Sequence, residues 1–413
     1  MKALALALMF LTPALATDYQ LLTDPVGIDP ALEIAHLYYT QWPTGIAVSS
    51  SGRKFSCYPA GLDRDNTNDG TNQRFAVAEL TSNSTETPYP NYRINNPPGG
   101  AIDYSKTPAV TKGLSEYFLG VQSVVIDYED TLWVMDTGRA TTLNDIAAAA
   151  SPGGTKLIAI DLATDQVTRT YIFTPDIALP FSYFDNVRID LQNNFAFISD
   201  SAGGQDAIIV LDLTTGDAWR TLQNDRSVSP VYGFVPFVWG DSQYQVTRDA
   251  AGAPDGATFI NFGVGGIALS PTLDTLYYSK IAGRNLYAIP TALLRNRNTT
   301  QAELVAYVRD LGEKGFSEGM TTASDGRVYL GRAEQDGCAV YDPRTQLVEL
   351  FVHDKRINFC YSFSVTVDGY IYFTVNQLNY SPLASFGGRD RRVRPFVLFR
   401  VKLPGDAVKA PGF

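Results

Sequence analysis

Glu318, in the run Ser317-Glu318-Gly319-Met320, is the residue best placed to do acid–base chemistry. It stands just before an apolar β-rich run. A carboxylate at the mouth of an apolar channel is raised in pKa and can shuttle a proton, or it can pair with a protonated amine. Asp136, in Asp136-Thr137-Gly138, and Asp200, in the run Ser199–Gly204, read first as turn formers, because Asp beside Gly is ordinary turn chemistry. Taken together, Glu318, Asn186 and Asp136 are oxygen donors from separate segments, the donor type calcium takes, and they keep a metal-dependent hydrolysis open. Other chemistry is excluded. With only His36 and His353, the chain lacks the residues for a His-based triad, a zinc site of the HExxH kind or a multi-His oxidase centre. No Gly-rich dinucleotide fingerprint and no P-loop is present, so no cofactor is expected.

These residues are positioned by a repeated hairpin. Val121–Ala140 holds an apolar run, a carboxylate-rich turn at Asp127–Thr131 and a second apolar run closed by Asp136-Thr137-Gly138. Asp127 can fold back on its own backbone in that turn, and Trp133 gives the second strand a large anchor. The pattern recurs at Ile46–Cys57, Val187–Asp200, Ile267–Ser279, Met320–Gly331 and Phe363–Thr374. The copies are about 40 to 80 residues apart, enough for one four-stranded sheet each, and little helical periodicity separates them. The expected fold is all-β, a six-bladed β-propeller, because radial repetition buries both faces of such sheets. A strand around His36–Trp42 is expected to join Pro395–Leu403 in the last blade and so remove the free edge. Residues 58–112 and 224–258 read as long surface excursions, and Thr291–Arg297 as the one short helix.

In a propeller, the first strand of each blade lines the axis. The rim at one mouth is therefore expected to carry Thr44, Gln122 and Ser123, Asp185 and Asn186, Gly265, Glu318, and Tyr361 and Ser362. Residues just after the second strands, namely Asp136, Asp200, Lys280, Arg332 and Asn376, are expected to join them.

The repeats fill nearly all of the 413 residues, so 17–413 reads as one domain. Residues 1–16, with Lys2, the apolar Ala3–Leu11 and the small residues Ala14 and Ala16 before Thr17, read as a signal peptide, and the mature protein as secreted. Sequons at Asn83, Asn298 and Asn379 agree with export, the last weakened by Pro382. A net charge of −10 argues against nucleic acid and anionic membrane as partners. The basic cluster Arg389, Arg391, Arg392 and Arg394 reads as a solvated loop, with an anion site as the alternative. Cys57, Cys338 and Cys360 allow one disulfide and one free thiol, the pairing left open.

Over residues 120–403 the chain resembles the yellow/major royal jelly protein family, and it reads as a microbial, fungal member. The motifs are LWVMDTG (Leu132–Gly138), Gly265–Asn296, DGYIYFTVNQL (Asp368–Leu378) and RPFVLFRV (Arg394–Val401). The resemblance implies a six-bladed propeller, export and binding of small aromatic amines. It also implies dopachrome-type rearrangement in some members, and isomerising or cyclising steps in others. It marks Asn376 as a ligand contact, since an amide can donate and accept. Tyr361, Phe363 and Leu378 are then expected as apolar walls, with Asn186 beside them. Because the best-known members carry more cysteines, their disulfides do not transfer. The expected function is a cofactor-free enzyme that rearranges, isomerises or cyclises a small aromatic or quinoid molecule. A binding protein for such ligands is the first alternative. A calcium-dependent lactonase, of the kind that uses a Glu/Asn/Asp set, is the second.

Overall fold

A computed structural model describes Asp29 and residues 31–410 apart from 250, 386 and 387; the expected signal peptide lies outside the described residues. The hairpin at 121–136 forms as its turn chemistry requires. Asp127 Oδ1 accepts from the backbone N–H of Glu129 and Thr131, each at 2.9 Å, and Oδ2 accepts from Trp133 Nε1 at 2.7 Å. Strands Val121–Ile126 and Thr131–Asp136 are continued outward by Lys156–Asp161 and Gln166–Ile172 to make one four-stranded blade.

Six such antiparallel sheets are present. The inner strands run Gly45–Val48, Val121–Ile126, Phe184–Asp190, Val264–Leu269, Met320–Thr322 and Cys360–Val365, in blades 1 to 6. Blade 6 takes its outer strand from the other end of the chain. Glu33–Tyr38 pairs with Phe396–Lys402, which pairs with Tyr370–Val375, so the ring closes as expected.

Side chains alternate across each strand, and each face packs on a different neighbour. In Thr131–Asp136, Leu132 and Val134 face blade 1, with Phe55 and Val77, whereas Trp133 and Met135 face blade 3, with Phe184 and Ile198. Similar apolar layers fill the other four interfaces. Burial therefore falls off from the axis outward: Phe184–Asp190 is buried throughout, while Gln166–Ile172 is mostly exposed.

Three local expectations are corrected. The segment 58–112 is not only an excursion, since it supplies strands Val77–Leu80 and Glu86–Pro88 of blade 1. Besides the expected helix, found at Thr291–Arg295, and a single turn at Tyr92–Asn95, a second full helix runs Gln301–Tyr307, started by a capping box in which Thr300 and Glu303 bond reciprocally. The basic cluster is a clasp rather than a solvated loop. Arg391 pairs with Asp241 at 2.7 Å, Arg392 with Asp63 and Asp390, and Arg394 with Asp65. The insertion 224–263 joins blade 3 to blade 4 and contains the hairpins Phe237–Val238/Asp241–Ser242 and Gln245–Arg248/Pro254–Thr258.

Candidate functional site

The sequence places Thr44, Gln122, Asp185, Gly265, Glu318 and Tyr361 each two residues before an apolar inner-strand residue, namely Ile46, Val124, Val187, Ile267, Met320 and Phe363. In blades 2, 3, 4 and 6 the ladder slips at this position, between Val121 and Ser123, Phe184 and Val187, Val264 and Ile267, and Cys360 and Phe363. Such a bulge frees a residue from the ladder and re-aims its side chain.

Together these positions make a hydrogen-bonded ring. Gln122 Nε2 donates to Asp185 Oδ1 at 3.1 Å and to the Tyr361 hydroxyl at 2.7 Å, while Gln122 Oε1 accepts from the Tyr183 hydroxyl at 2.9 Å. Thr44 Oγ1 donates to the Gln122 carbonyl at 3.1 Å. The Glu318 and Asp185 carboxyls are neighbours that act on each other, with Tyr361 beside Glu318 and Ser201 beside Asp185. Two glycines make room. A Cβ on Gly319 would lie 2.2 Å from the Tyr361 carbonyl oxygen, and one on Gly265 would lie 2.6 Å from Ile281 Cγ1 and 3.2 Å from Asp185 Oδ2.

Burial dominates the electrostatics. It pushes Glu318 well above the usual carboxylate range, and the Asp185 charge and their shared hydrogen bond push the same way; Tyr361 and Lys314 pull it back. Burial also raises Asp185 to about 6, against the lowering by its bonds to Gln122, Glu318 and Ser201. Both carboxyls are raised, Glu318 further than Asp185, so Glu318 is the one that favours keeping its proton. Lys314 is fully buried beside them, donates to Ser317 Oγ at 2.6 Å, and is drawn down to about 7 by burial.

A carboxyl raised on folding favours the folded state while protonated, and that contribution is lost as pH rises through its folded pKa, here about 6. Asp185→Asn removes this titration. Wild type is therefore expected to lose stability relative to Asp185→Asn between pH 5 and pH 7. Urea unfolding at both pH values measures it, and parallel curves for the two proteins would contradict it.

An aromatic roof covers the ring. Phe234, Val238 and Ile260 of the insertion pack with Phe316, Phe359 and Tyr361. Ring centroids run from Phe234 to Phe316 at 5.8 Å, on to Phe359 at 5.6 Å and to Tyr361 at 6.3 Å. The roof is latched at its edge by Arg284, which pairs with Glu334 at 2.6 Å, while Glu334 accepts from the Phe237 backbone N–H at 3.0 Å.

The expected site residues separate into those the ring gathers and those it does not. Glu318 and Tyr361 are in the ring, and Asn186 adjoins it, donating to the Gly265 carbonyl at 3.2 Å. Leu378 packs against the roof cluster. Phe363 packs between blades 5 and 6 and reaches the opposite mouth of the channel, so it is no wall of this site. Asn376 is fully buried and held by the backbone. Its Nδ2 donates to the Pro43 carbonyl at 3.0 Å and its Oδ1 accepts from Leu378 N–H at 3.2 Å, so both ends of the amide are engaged.

Asp136 and Asp200 brace loops in the same way. Asp136 is fully buried, pairs with Lys156 at 2.8 Å and accepts from the N–H groups of Leu119, Gly120 and Gly138. Asp200 pairs with Arg220 at 3.0 Å and accepts from Tyr183 N–H. With its oxygens so occupied, Asp136 cannot join Glu318 and Asn186 as a third oxygen ligand. Asp185 and Gln122 were visible as rim positions, and their shared place two residues before an apolar residue is the signal that selects them.

Of the sequons, Asn83 and Asn298 are exposed. Asn379 is fully buried and leaves a glycan no room. Cys57 Sγ lies against the Gln122 carbonyl, while Cys338 and Cys360 bring their Sγ atoms to 3.0 Å. In protein secreted through an oxidising compartment, Cys338 and Cys360 are expected as the disulfide and Cys57 as the thiol. Peptide mapping after alkylation under denaturing conditions, without reductant, checks this; labelling of Cys338 or Cys360 would refute it.

The family model described as Major royal jelly protein matches residues 119–394. Major royal jelly protein 2 of Apis mellifera is 28% identical over 177 residues, 41% of this chain and 34% of that protein. Protein yellow of Drosophila erecta is 24% identical over 286 residues, 63% of this chain and 44% of that protein. The chain thus spans less than half the length of either relative. Among solved structures, a luciferin-regenerating enzyme superposes with a TM-score of 0.52 at 10% identity, covering 93% of this chain and 98% of that one, a likeness of fold. With two thirds of its length matched by the family model, including all of the inner-strand positions from Gln122 to Tyr361, the chain belongs to the major royal jelly protein family.

Proposed function

We propose that this is a secreted enzyme that isomerises, rearranges or cyclises a small aromatic or quinoid molecule, held between the ring and its aromatic roof, without a redox cofactor. The observation that carries this reading is the Glu318–Asp185 pair, two buried carboxyls, with Gln122 bonded to Asp185 and to Tyr361, which belongs to the aromatic cluster. Asp185, as carboxylate, takes a proton from one atom of the substrate, and Glu318 gives its proton to another. The bonding electrons shift between those two atoms and none leave, so the product has the mass of the substrate. Asp185 is then the acid and Glu318 the carboxylate, and their mutual hydrogen bond returns the proton. Gln122 and Tyr361 hold the pair in register. The substrate enters by displacing the insertion 224–263 at its Arg284–Glu334 latch.

The test works without a named substrate. Purified protein is incubated with small-molecule extracts of the source culture and followed by liquid chromatography and mass spectrometry. A peak replaced by another of equal mass and different retention supports the proposal. A gain of one water would instead indicate a lactonase. A ligand that is bound stoichiometrically and recovered unchanged would indicate a binding protein. That second reading draws on the same geometry, since the Asp185 carboxylate beside Tyr361 and Phe359 also suits a protonated aromatic amine.

A further inference from the structure

The opposite mouth of the axial channel holds a cavity of about 50 Å³ between the inner strands, lined in part by Arg188, Thr321, Phe363, Ser364 and Lys409, and by Asp127, whose carboxylate is taken up by Glu129 N–H, Thr131 N–H and Trp133 Nε1. Arg188 is 7% exposed. Its guanidinium donates to the Val187 carbonyl at 2.6 Å and to the Met320 carbonyl, and no carboxylate lies within ion-pair reach among the described residues. Lys409 arrives on the C-terminal tail, which is pinned across the blade turns. Val408 exchanges hydrogen bonds with Ser324, and Lys409 N–H donates to the Thr366 carbonyl. The Lys409 ammonium then donates to the Ile126 and Asp127 carbonyls at 2.8 and 2.7 Å.

Elsewhere in this protein, buried Lys156, Arg220 and Arg392 each meet a carboxylate, whereas Lys280 and Lys314 bond to carbonyl and hydroxyl oxygens. Arg188 meets only carbonyl dipoles, although a buried charge is costly until it is paired, and half-buried Lys409 has Asp127 and Asp130 near it but makes no ion pair with either. Burial draws Arg188 down to about 10 and Lys409 to about 8, the same physical fact seen from the proton's side. A guanidinium has five N–H groups in a fixed fork, and those not on the two carbonyls are left for another acceptor. Ser364 Oγ accepts from Val48 N–H at 3.0 Å, so its own hydrogen remains to donate.

We infer that this cavity binds a small monovalent anion, a halide or a carboxylate of formate or acetate size, between Arg188 and Lys409, tying the C-terminal tail to the closed ring. Size limits the class: a water needs roughly 10–15 Å³ of such space, so about 50 Å³ admits an anion of a few atoms but no aromatic metabolite. This inference is independent of the reading given to the Glu318 mouth.

Thermal unfolding tests it at constant ionic strength, with sodium bromide or sodium formate replacing sodium gluconate, whose anion is too large to enter. Wild type is expected to show a saturable rise in midpoint in bromide or formate. Arg188→Met is expected to lose that rise and Lys409→Met to need more anion to reach it. A response to bromide alone marks a halide site, and a response to formate at lower concentration marks a carboxylate site. Crystals grown in bromide are expected to show an anomalous peak between the two side chains. Equal midpoints in all three salts, an undiminished rise in Arg188→Met, or bromide peaks only elsewhere would overturn the inference. Should Arg188→Met fail to fold, Lys409→Met and the bromide peak decide it.

Discussion

Glu318→Gln is expected to slow formation of the equal-mass product by about 10²–10⁴-fold, the usual worth of a positioned general acid or base. The amide keeps the size of the carboxyl, can still donate toward Asp185 and can still accept from Tyr361, so the ring should keep its shape. What it lacks is a proton that can be given up. Binding under the roof should therefore survive while turnover falls. Asp185→Asn is expected to cost a similar factor, and the double variant little more than either alone, because the two groups act as one proton-sharing unit. Initial rates measured by mass spectrometry, alongside calorimetric binding of the substrate so identified, separate the two effects. Full turnover in Glu318→Gln would remove Glu318 from the chemistry. Loss of binding together with turnover would instead make the pair a recognition element.

The largest expected effect on stability is at Lys156, far from any chemistry. Lys156 and Asp136 are both fully buried and 2.8 Å apart. Removing one partner of such a pair leaves an uncompensated charge, at a cost of about 3–5 kcal/mol. Lys156→Met should lower stability by that amount in urea unfolding. The three backbone N–H groups on Asp136 do not replace the ammonium. Asp136→Asn added to Lys156→Met should recover part of the loss, since the amide oxygen still accepts from those donors without carrying a charge. A loss below about 1 kcal/mol would mean that water reaches the pair. Because Asp136 holds the N–H groups of Leu119 and Gly120, just before Gln122, the damage should also spread to the ring.

Much of this was legible in the residues. Asp127 and Trp133 specify their hairpin within ten residues, and the same hairpin repeated six times leaves a propeller as the way to bury both faces of every sheet. The Thr300–Glu303 capping box was equally readable as the start of the second helix. The six positions that ring the axis were visible as well, since each precedes an apolar inner-strand residue by two. The function of individual side chains was not. Asn376, Asp136 and Glu318 are all polar residues at the end of an apolar run, and nothing local distinguishes a brace from a reactive group.

By itself, then, the sequence determined the inner hairpins, the number of blades and the closing of the ring, because strand period and turn chemistry act over a few residues and are written afresh in each repeat. Only the tertiary structure decided that Glu318 and Asp185 are buried side by side, that Asn376 bonds to the Pro43 carbonyl, that the insertion 224–263 packs on Tyr361, and that Arg188 and Lys409 line one cavity. The reason is geometric. Each of those relations joins residues from separate blades or loops, brought together by closure of the ring.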